Sequence, residues 1–466
     1  MRWTGFLTSA VALALAGMAA AAPPNILWII SDDHGPDLGC YGTPAAYSPR
    51  LDALAAAGTR YTQAHMTAPI CSPSRTALMT GMYQTTIGGH HHRSNRDVPL
   101  PAPVVPVTKL FRDAGWFVAN DDGSGNPGKT DLNFQHEPLF DGVSWRERAP
   151  GQPFFAQVNL FQPHRPFVTA LHEPTDPAAV VLPPYLPDDP ELRADWANYL
   201  DSIRLLDVRV GQVLDRLRED GLEDSTVVFF FGDNGRPHPR DKQFLYSGGT
   251  GVPLIIRGPG FEAGAVSDQL VSGIDLTAQT LAIAGLPVPE WMQGRPFHGP
   301  GAVPREFLFS ARDRADETVD RIRAVRTADW LYIRNFMPDR PWLQQNLYKE
   351  AFYPGWRMLR AEAAAGGPPR VSFLAPARPI EELYDRRADP HEMTNLVADP
   401  KHAAVLARLR GALETWIRET GDRGAIPEDP AIAEQLAREA EAAAAADPNP
   451  PWGPARALPW QNGAGQ

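Results

Sequence analysis

Hydrophobic and polar positions along the chain follow two rhythms. Short apolar runs, rich in β-branched and aromatic residues, stop at turn signals and read as buried strands. They occupy 25–30, 116–119, 154–160, 226–231 and 254–257. Between them lie stretches with helical spacing. The clearest is 195–220, where Trp196, Tyr199, Leu200, Ile203, Leu206, Val210, Val213, Leu214 and Leu217 share one face; 107–114 is a shorter example. Strands alternating with helices predict an α/β fold, a large mixed, mostly parallel sheet sandwiched by helices.

Three of these strands hand over directly to polar residues. The first reaches Asp32 and Asp33, another Gln162-Pro163-His164, and a third Asp233-Asn234. In open α/β sheets ligands bind beyond the C-terminal ends of the strands. One polar residue closing a strand is ordinary, whereas three such handovers point to a site.

After about residue 301 the rhythm changes. Short strands at 321–326 and 330–334, and a run at 381–385 leading towards an amphipathic helix at 405–417, predict a smaller C-terminal α+β subdomain over 301–426 with a few antiparallel strands, after a catalytic domain over 23–300. From 427 to 466 the chain is rich in Ala and Pro and reads as a peripheral tail. At the other end, a basic start, an apolar stretch and small residues near Ala20 to Ala22 lay out a signal peptide over 1–22. The stretch is short and Ala-rich for a membrane anchor, the other reading, and no later segment spans a bilayer. A periplasmic or secreted protein is expected.

Composition narrows the chemistry. The 466 residues carry a net charge of −11, which argues against a nucleic-acid partner and requires any anionic substrate to be met by local cations. Only Cys40 and Cys71 are present, so there is no disulfide framework, although an exported chain would permit one bridge. Cys71 opens the run Cys71-Ser72-Pro73-Ser74-Arg75, ending at Gly81. Ser72 suits a helix cap, Pro73 the first turn and Gly81 the end, which places Cys71 just outside a helix N-terminus with Arg75 one turn in. A reactive residue above an anion site is one reading; a buried free cysteine is the other.

Cys-x-Pro-x-Arg followed by a Thr-Gly helix end resembles the signature of type I sulfatases. The resemblance implies that Cys71 is converted to formylglycine by a maturation enzyme, a covalent change outside the reach of composition. It implies an alkaline-phosphatase/sulfatase-like fold and one bound Ca²⁺ held by Asp32, Asp33, Asp233, Asn234 and modified Cys71. Oxygen ligands of this kind suit Ca²⁺ or Mg²⁺. Lys242, ahead of Tyr246, resembles the family's basic residue before a Tyr-x-Gly turn. Lys129, after Gly128, resembles a sulfate-holding lysine, and His164 the histidine at the bridging oxygen. Many members carry a histidine two residues after that lysine, where this chain has Asp131. Asp131 itself, a residue of His90-His91-His92, or a different organisation of the step stand as alternatives.

The mechanism implied is attack on sulfur by one hydroxyl of a hydrated aldehyde, with His164 as general acid and Arg75, Lys129 and Lys242 balancing sulfuryl charge. The segments 233–246 and 183–188 resemble heparan N-sulfatases, and the likeness spans about 24 to 420. A sulfated saccharide is therefore the expected substrate, with N-sulfoglucosamine of a heparin-type chain the specific candidate. An O-sulfatase on another sugar, a phosphodiesterase or phosphonate hydrolase of this fold, and a silent glycan-binding protein with unmodified Cys71 are the rivals.

Overall fold

A computed structural model describes residues 23–167, 173–365 and 372–445, so the leader expected over 1–22 and the end of the expected tail lie outside the described residues. Seven strands form the larger sheet: β1 (Asn25–Ser31), β2 (Thr59–His65), β3 (Phe117–Asp121), β4 (Phe154–Leu160), β5 (Thr226–Gly232), β6 (Leu254–Arg257) and β7 (Ala265–Ser272). Their order is β3-β4-β1-β5-β6-β2-β7. β6 runs antiparallel to both neighbours, and the remaining pairs are parallel. The sheet is mixed and mostly parallel, as the alternation of strands and helices predicts.

β2 and β7 fall outside the apolar runs for a physical reason. β2 reads Thr-Arg-Tyr-Thr-Gln-Ala-His, and β7 is an edge strand whose first half alternates with solvent. Neither has the continuous apolar character of a strand buried on both faces.

The helices over this part of the chain are α1 (Pro49–Ala56), α2 (Cys71–Thr80), α3 (Val107–Asp113), α4 (Pro190–Glu219), α5 (Ser247–Thr250) and α6 (Gly273–Ile283). Successive strand residues face opposite sides. Ile26, Trp28 and Ile30 therefore pack with Leu78, Phe111 and Leu281 of α2, α3 and α6. Leu27 and Ile29 pack on the other face with Tyr199, Ile203, Leu206 and Val210 of α4. α4 starts ahead of its apolar stripe because Pro190 takes the first position and Asp189 Oδ1 accepts from Glu191 N at 2.8 Å.

A four-stranded antiparallel sheet follows, β8 (Leu308–Arg312), β9 (Ile322–Arg326), β10 (Trp330–Asn335) and β11 (Glu381–Asp385), in the order β11-β10-β9-β8. Between β10 and β11 come α7 (Leu347–Phe352) and α8 (Pro354–Ala364). α9 (Ala403–Thr420) then covers the sheet with Leu409, Leu413 and Trp416 against Val325, Tyr332 and Leu383. Within the stretch read as a peripheral tail the described part forms α10 (Pro430–Ala445), and Glu428 before it accepts from Ser94 Oγ at 2.6 Å and Arg314 Nη2 at 3.1 Å. Its Ala-rich composition suits a helix as well as a loose end. Among the described residues no helix is long and apolar enough to cross a membrane.

The end of α9 is locked by charge. Arg323 on β9 is fully buried, and its Nη2 donates to Asp422 Oδ1 at 2.9 Å and Asp313 Oδ1 at 3.1 Å. Asp422→Ala strands that guanidinium with one carboxylate and is expected to cost about 3 kcal/mol. Urea unfolding measures it, and a loss below about 1 kcal/mol would show the pair to be dispensable.

Candidate active site

The C-terminal ends of β3, β4, β1 and β5, four neighbours in the sheet, deliver the polar residues. Asp32 and Asp33 follow β1, and Asp233 and Asn234 follow β5. His164 lies beyond β4. Lys129 sits on the loop after β3, which is tied back by Asn120 Nδ2 donating to Gly128 O at 2.7 Å. Gly128 is required there, since a Cβ would stand 2.5 Å from Asp121 O.

Cys71 arrives from the other side, after β2. It is the first residue of α2, which is buried along its whole length. The cap differs from the sequence expectation. Ile70, in extended conformation, holds the cap position and accepts from Ser74 N at 3.2 Å. Ser72 lies two residues past the cap position, and its Oγ instead accepts from Arg93 N at 2.8 Å. Gly81 ends the helix with φ 66°, as expected of a left-handed stop.

Around Cys71 Sγ lie Lys242 Nζ at 3.5 Å, Asp32 Oδ1 at 3.6 Å and Asp33 Oδ1 at 3.7 Å. Lys242 Nζ also donates to Asp33 Oδ2 at 2.6 Å, and Lys129 Nζ to Asp32 Oδ2 at 2.7 Å. Arg75 donates from Nε to Asp233 Oδ2 at 2.8 Å and from Nη1 to Asn159 Oδ1 at 2.6 Å. His164 Nδ1 faces Arg165 O, which only accepts, so the ring proton sits on Nδ1. Its Nε2 then presents a lone pair to Lys242 Nζ at 3.4 Å.

The oxygen donors here fit a hard cation, with the Cys71 sulfur and the His164 imidazole beside them. One ligand atom from each of Asp32, Asp33, Cys71 and His164 lies within 4.8 Å of the others. Asp33 N donates to Asp233 Oδ1 at 3.0 Å, and Asn234 Nδ2 to Asp33 Oδ1 at 2.9 Å, which draws the β1 and β5 ends together. Asn234 Oδ1 is buried with no hydrogen-bond partner among the described residues. An orphaned amide oxygen beside three carboxylates is what an oxygen-preferring cation would satisfy.

Electrostatics separate the groups. Burial would raise the Asp32 carboxyl, but Lys129, His164, Arg75 and Lys242 outweigh it and hold it well below the usual range. Asp233 goes the other way, pushed up to about 7 by burial and by Asp32. Burial, with Asp32 and Asp233, pushes the Cys71 thiol well up despite Lys129 and Lys242. An unmodified thiol here stays protonated and is a poor nucleophile. Cys40 and Cys71 are both free, so no bridge forms between them.

Asp131, where the chain departs from the family pattern, is committed elsewhere. Arg93 grips it with Nε and Nη2, both at 3.3 Å, and Arg96 Nη2 donates at 2.7 Å. Burial would raise its carboxyl, yet Arg93, Lys129 and His92 hold it well below the usual range, which makes it a fixed anion and not a base. His92 Nδ1 pairs with Asp316 Oδ1 at 2.9 Å. His90 and His91 line a cavity of about 250 Å³ with Arg423 and Glu428.

Sequence reasoning missed Asn159, which couples Arg75 to Asn120 through an Nδ2 to Oδ1 bond of 2.7 Å. A lone amide near the end of an apolar strand was the available signal. It also missed Tyr348 on α7, whose ring centroid is 5.3 Å from Lys242 Nζ, and no local pattern marks that residue.

Comparison with known proteins places the chain in a family. The sulfatase family pattern matches residues 24–286, and that of the C-terminal part of N-sulphoglucosamine sulphohydrolase matches residues 238–350. An ulvan-active sulfatase of Formosa agariphila is 32% identical over 88% of this chain and 77% of its own length. Human N-sulphoglucosamine sulphohydrolase is 28% identical over 91% of this chain and 96% of its own. A structure solved with its substrate D-glucosamine-2-N,6-O-disulfate shares the fold at a TM-score of 0.64 and 18% identity, covering 86% of this chain and 98% of that one. With the family pattern spanning more than half its length, this chain belongs to the sulfatase family, hydrolases of sulfuric esters and sulfamates.

Proposed function

We propose that the chain removes sulfate from a sulfated sugar end unit of the glycosaminoglycan type, using formylglycine made from Cys71 by a maturation enzyme and one Ca²⁺. The observation that carries this reading is the placement of Cys71 Sγ between Asp32, Asp33 and Lys242, all buried. The relatives and the solved structure are named for ulvan, N-sulphoglucosamine and a disulfated glucosamine, which supports a saccharide. N-sulfoglucosamine is the specific candidate. A net charge of −11 with the cations gathered in the site suits a terminal sugar better than a long polyanion lying on the surface.

Asp32, Asp33, Asp233 and Asn234, with modified Cys71, are the residues to hold the cation, which when bound acidifies the attacking hydroxyl and draws charge from the sulfuryl oxygens. The protein's own groups do the rest. Arg75 is held rigidly by Asp233 and Asn159, and its Nη2 has no hydrogen-bond partner among the described residues. It is placed, with Lys129 and Lys242, to meet sulfuryl oxygens as their charge grows. Burial pushes the His164 imidazole down to about 4, so at neutral pH the proton of the Lys242–His164 pair rests on lysine. That pair is the source of the proton handed to the departing oxygen or nitrogen.

Sulfate release tests the reading on D-glucosamine carrying sulfate at the 2-N, 3-O or 6-O position, with a phosphate monoester as control. Release from the 2-N-sulfated sugar is expected, and preference for the phosphate ester would overturn the sulfatase assignment. Calcium is tested separately. In chelator-treated protein, Ca²⁺ at a hundred times its Kd stabilises by about 2.7 kcal/mol, a rise of several degrees in Tm. A Tm indifferent to calcium rejects the metal assignment. Export to the periplasm or medium, with loss of residues 1–22, belongs to the same reading and is tested by N-terminal sequencing of the exported protein.

A further inference from the structure

We propose that Phe161 and Tyr348, whose rings both lie close to that of His164, form the subsite for the sugar that departs, with the Tyr348 hydroxyl donating a hydrogen bond to one of its oxygens. The proposal rests on the sulfatase reading above and extends it to residues outside the reacting set.

The geometry is local. The ring centroid of Phe161 is 5.0 Å from that of His164, and the ring centroid of Tyr348 is 6.1 Å from it. Lys242 Nζ lies 5.3 Å from the Tyr348 centroid, and the same nitrogen is 3.5 Å from Cys71 Sγ. Tyr348 thus stands one side chain away from the reacting atoms, on the side of the group that gives up the proton.

Two independent features mark the pair as ligand-facing. Tyr348 is only 7% exposed, yet its hydroxyl has no hydrogen-bond partner among the described residues. A buried phenol usually finds one, so the unmet donor points to a ligand. Phe161 is the opposite case, a large apolar ring left 45% exposed where β4 ends. An exposed aromatic beside convergent polar groups is the usual lining of a small-molecule site, and it offers a flat surface to the C–H face of a sugar.

Tyr348 is also held in place. Asn346 Oδ1 accepts from Lys349 N at 3.0 Å, and Lys349 Nζ donates to Lys242 O at 2.9 Å, so α7 is fastened to the segment that carries Lys242.

The test compares D-glucosamine-2-N-sulfate with 4-nitrophenyl sulfate, whose leaving group has no sugar oxygen to receive the bond. Tyr348→Phe keeps the ring and the packing. It should lower kcat/KM on the sugar about tenfold, the worth of one hydrogen bond, and on the aryl sulfate by less than about threefold. Phe161→Ala should raise KM for the sugar about fivefold with kcat held. Equal losses on the two substrates in Tyr348→Phe, with an unchanged Tm, would overturn the proposal and leave the sulfatase reading standing. If the wild type released sulfate from neither probe, the functional reading would fail and take the proposal with it.

Discussion

Cys71→Ser is expected to abolish turnover, lowering kcat by about 10⁴-fold or more, while fold and substrate affinity persist. The chemistry behind this is a matter of valence. A serine left unoxidised carries a single hydroxyl, so after attack on sulfur nothing remains on that carbon to expel sulfate. The protein tolerates the change because serine is no larger than cysteine and α2 is fastened elsewhere. Ser74 Oγ donates to Asp233 O at 2.5 Å, and Gly81 N closes the helix on Ala77 O at 2.8 Å. A stability change within about 1 kcal/mol is expected. Calorimetric binding of the sugar sulfate should match the wild type, and peptide mass at position 71 should show an aldehyde in the wild type only. A variant keeping more than about one per cent of wild-type kcat would contradict the assignment of the nucleophile.

Lys242→Met is expected to cost about 10³-fold in kcat, because one ammonium serves three neighbours. It neutralises Asp33, stands against Cys71 and shares a proton with His164 Nε2 at 3.4 Å. Methionine keeps the length of the side chain and removes only the charge and its protons. The variant also separates catalysis from stability. Asp33 has no exposed side-chain surface, so in chelated protein the lost partner should cost about 3 kcal/mol. Calcium should restore part of that loss, since the cation supplies charge to the same carboxylate, whereas kcat should stay low. Full recovery of kcat on adding calcium would show that the ammonium has no role in the chemistry.

Much of the fold was legible because its signals are local. An apolar run of β-branched and aromatic residues, such as 154–160, specifies a strand buried on both faces wherever the strand lies. Where burial is one-sided or partial the signal fades, which is why β2, with Arg60, Thr62 and Gln63 in its middle, left no apolar run to read. The direction of β6 was equally hidden, since a four-residue strand reads alike in either orientation. The cap of α2 shows the limit at single-residue scale. Ser72 has the right chemistry for a cap, but Ile70 is already extended and the helix begins at Cys71.

The Cys71 motif sharpens the same distinction. By itself the sequence determined the helix that begins at Cys71 and the acidic strand ends, because each is a short pattern whose chemistry depends on adjacent residues. Only the tertiary structure decided what these residues do to one another. It brought Lys242 within hydrogen-bonding reach of Asp33, left Asn234 Oδ1 without a partner among the described residues, bound Asp131 to Arg93 and Arg96, and set Tyr348 against His164. Those relations join segments far apart in the chain, and they exist only after the strands are ordered and the C-terminal sheet has docked. Spacing along a chain carries information about neighbours one or two turns away. The electrostatics of a buried site depend on every charge that folding gathers within a few ångströms.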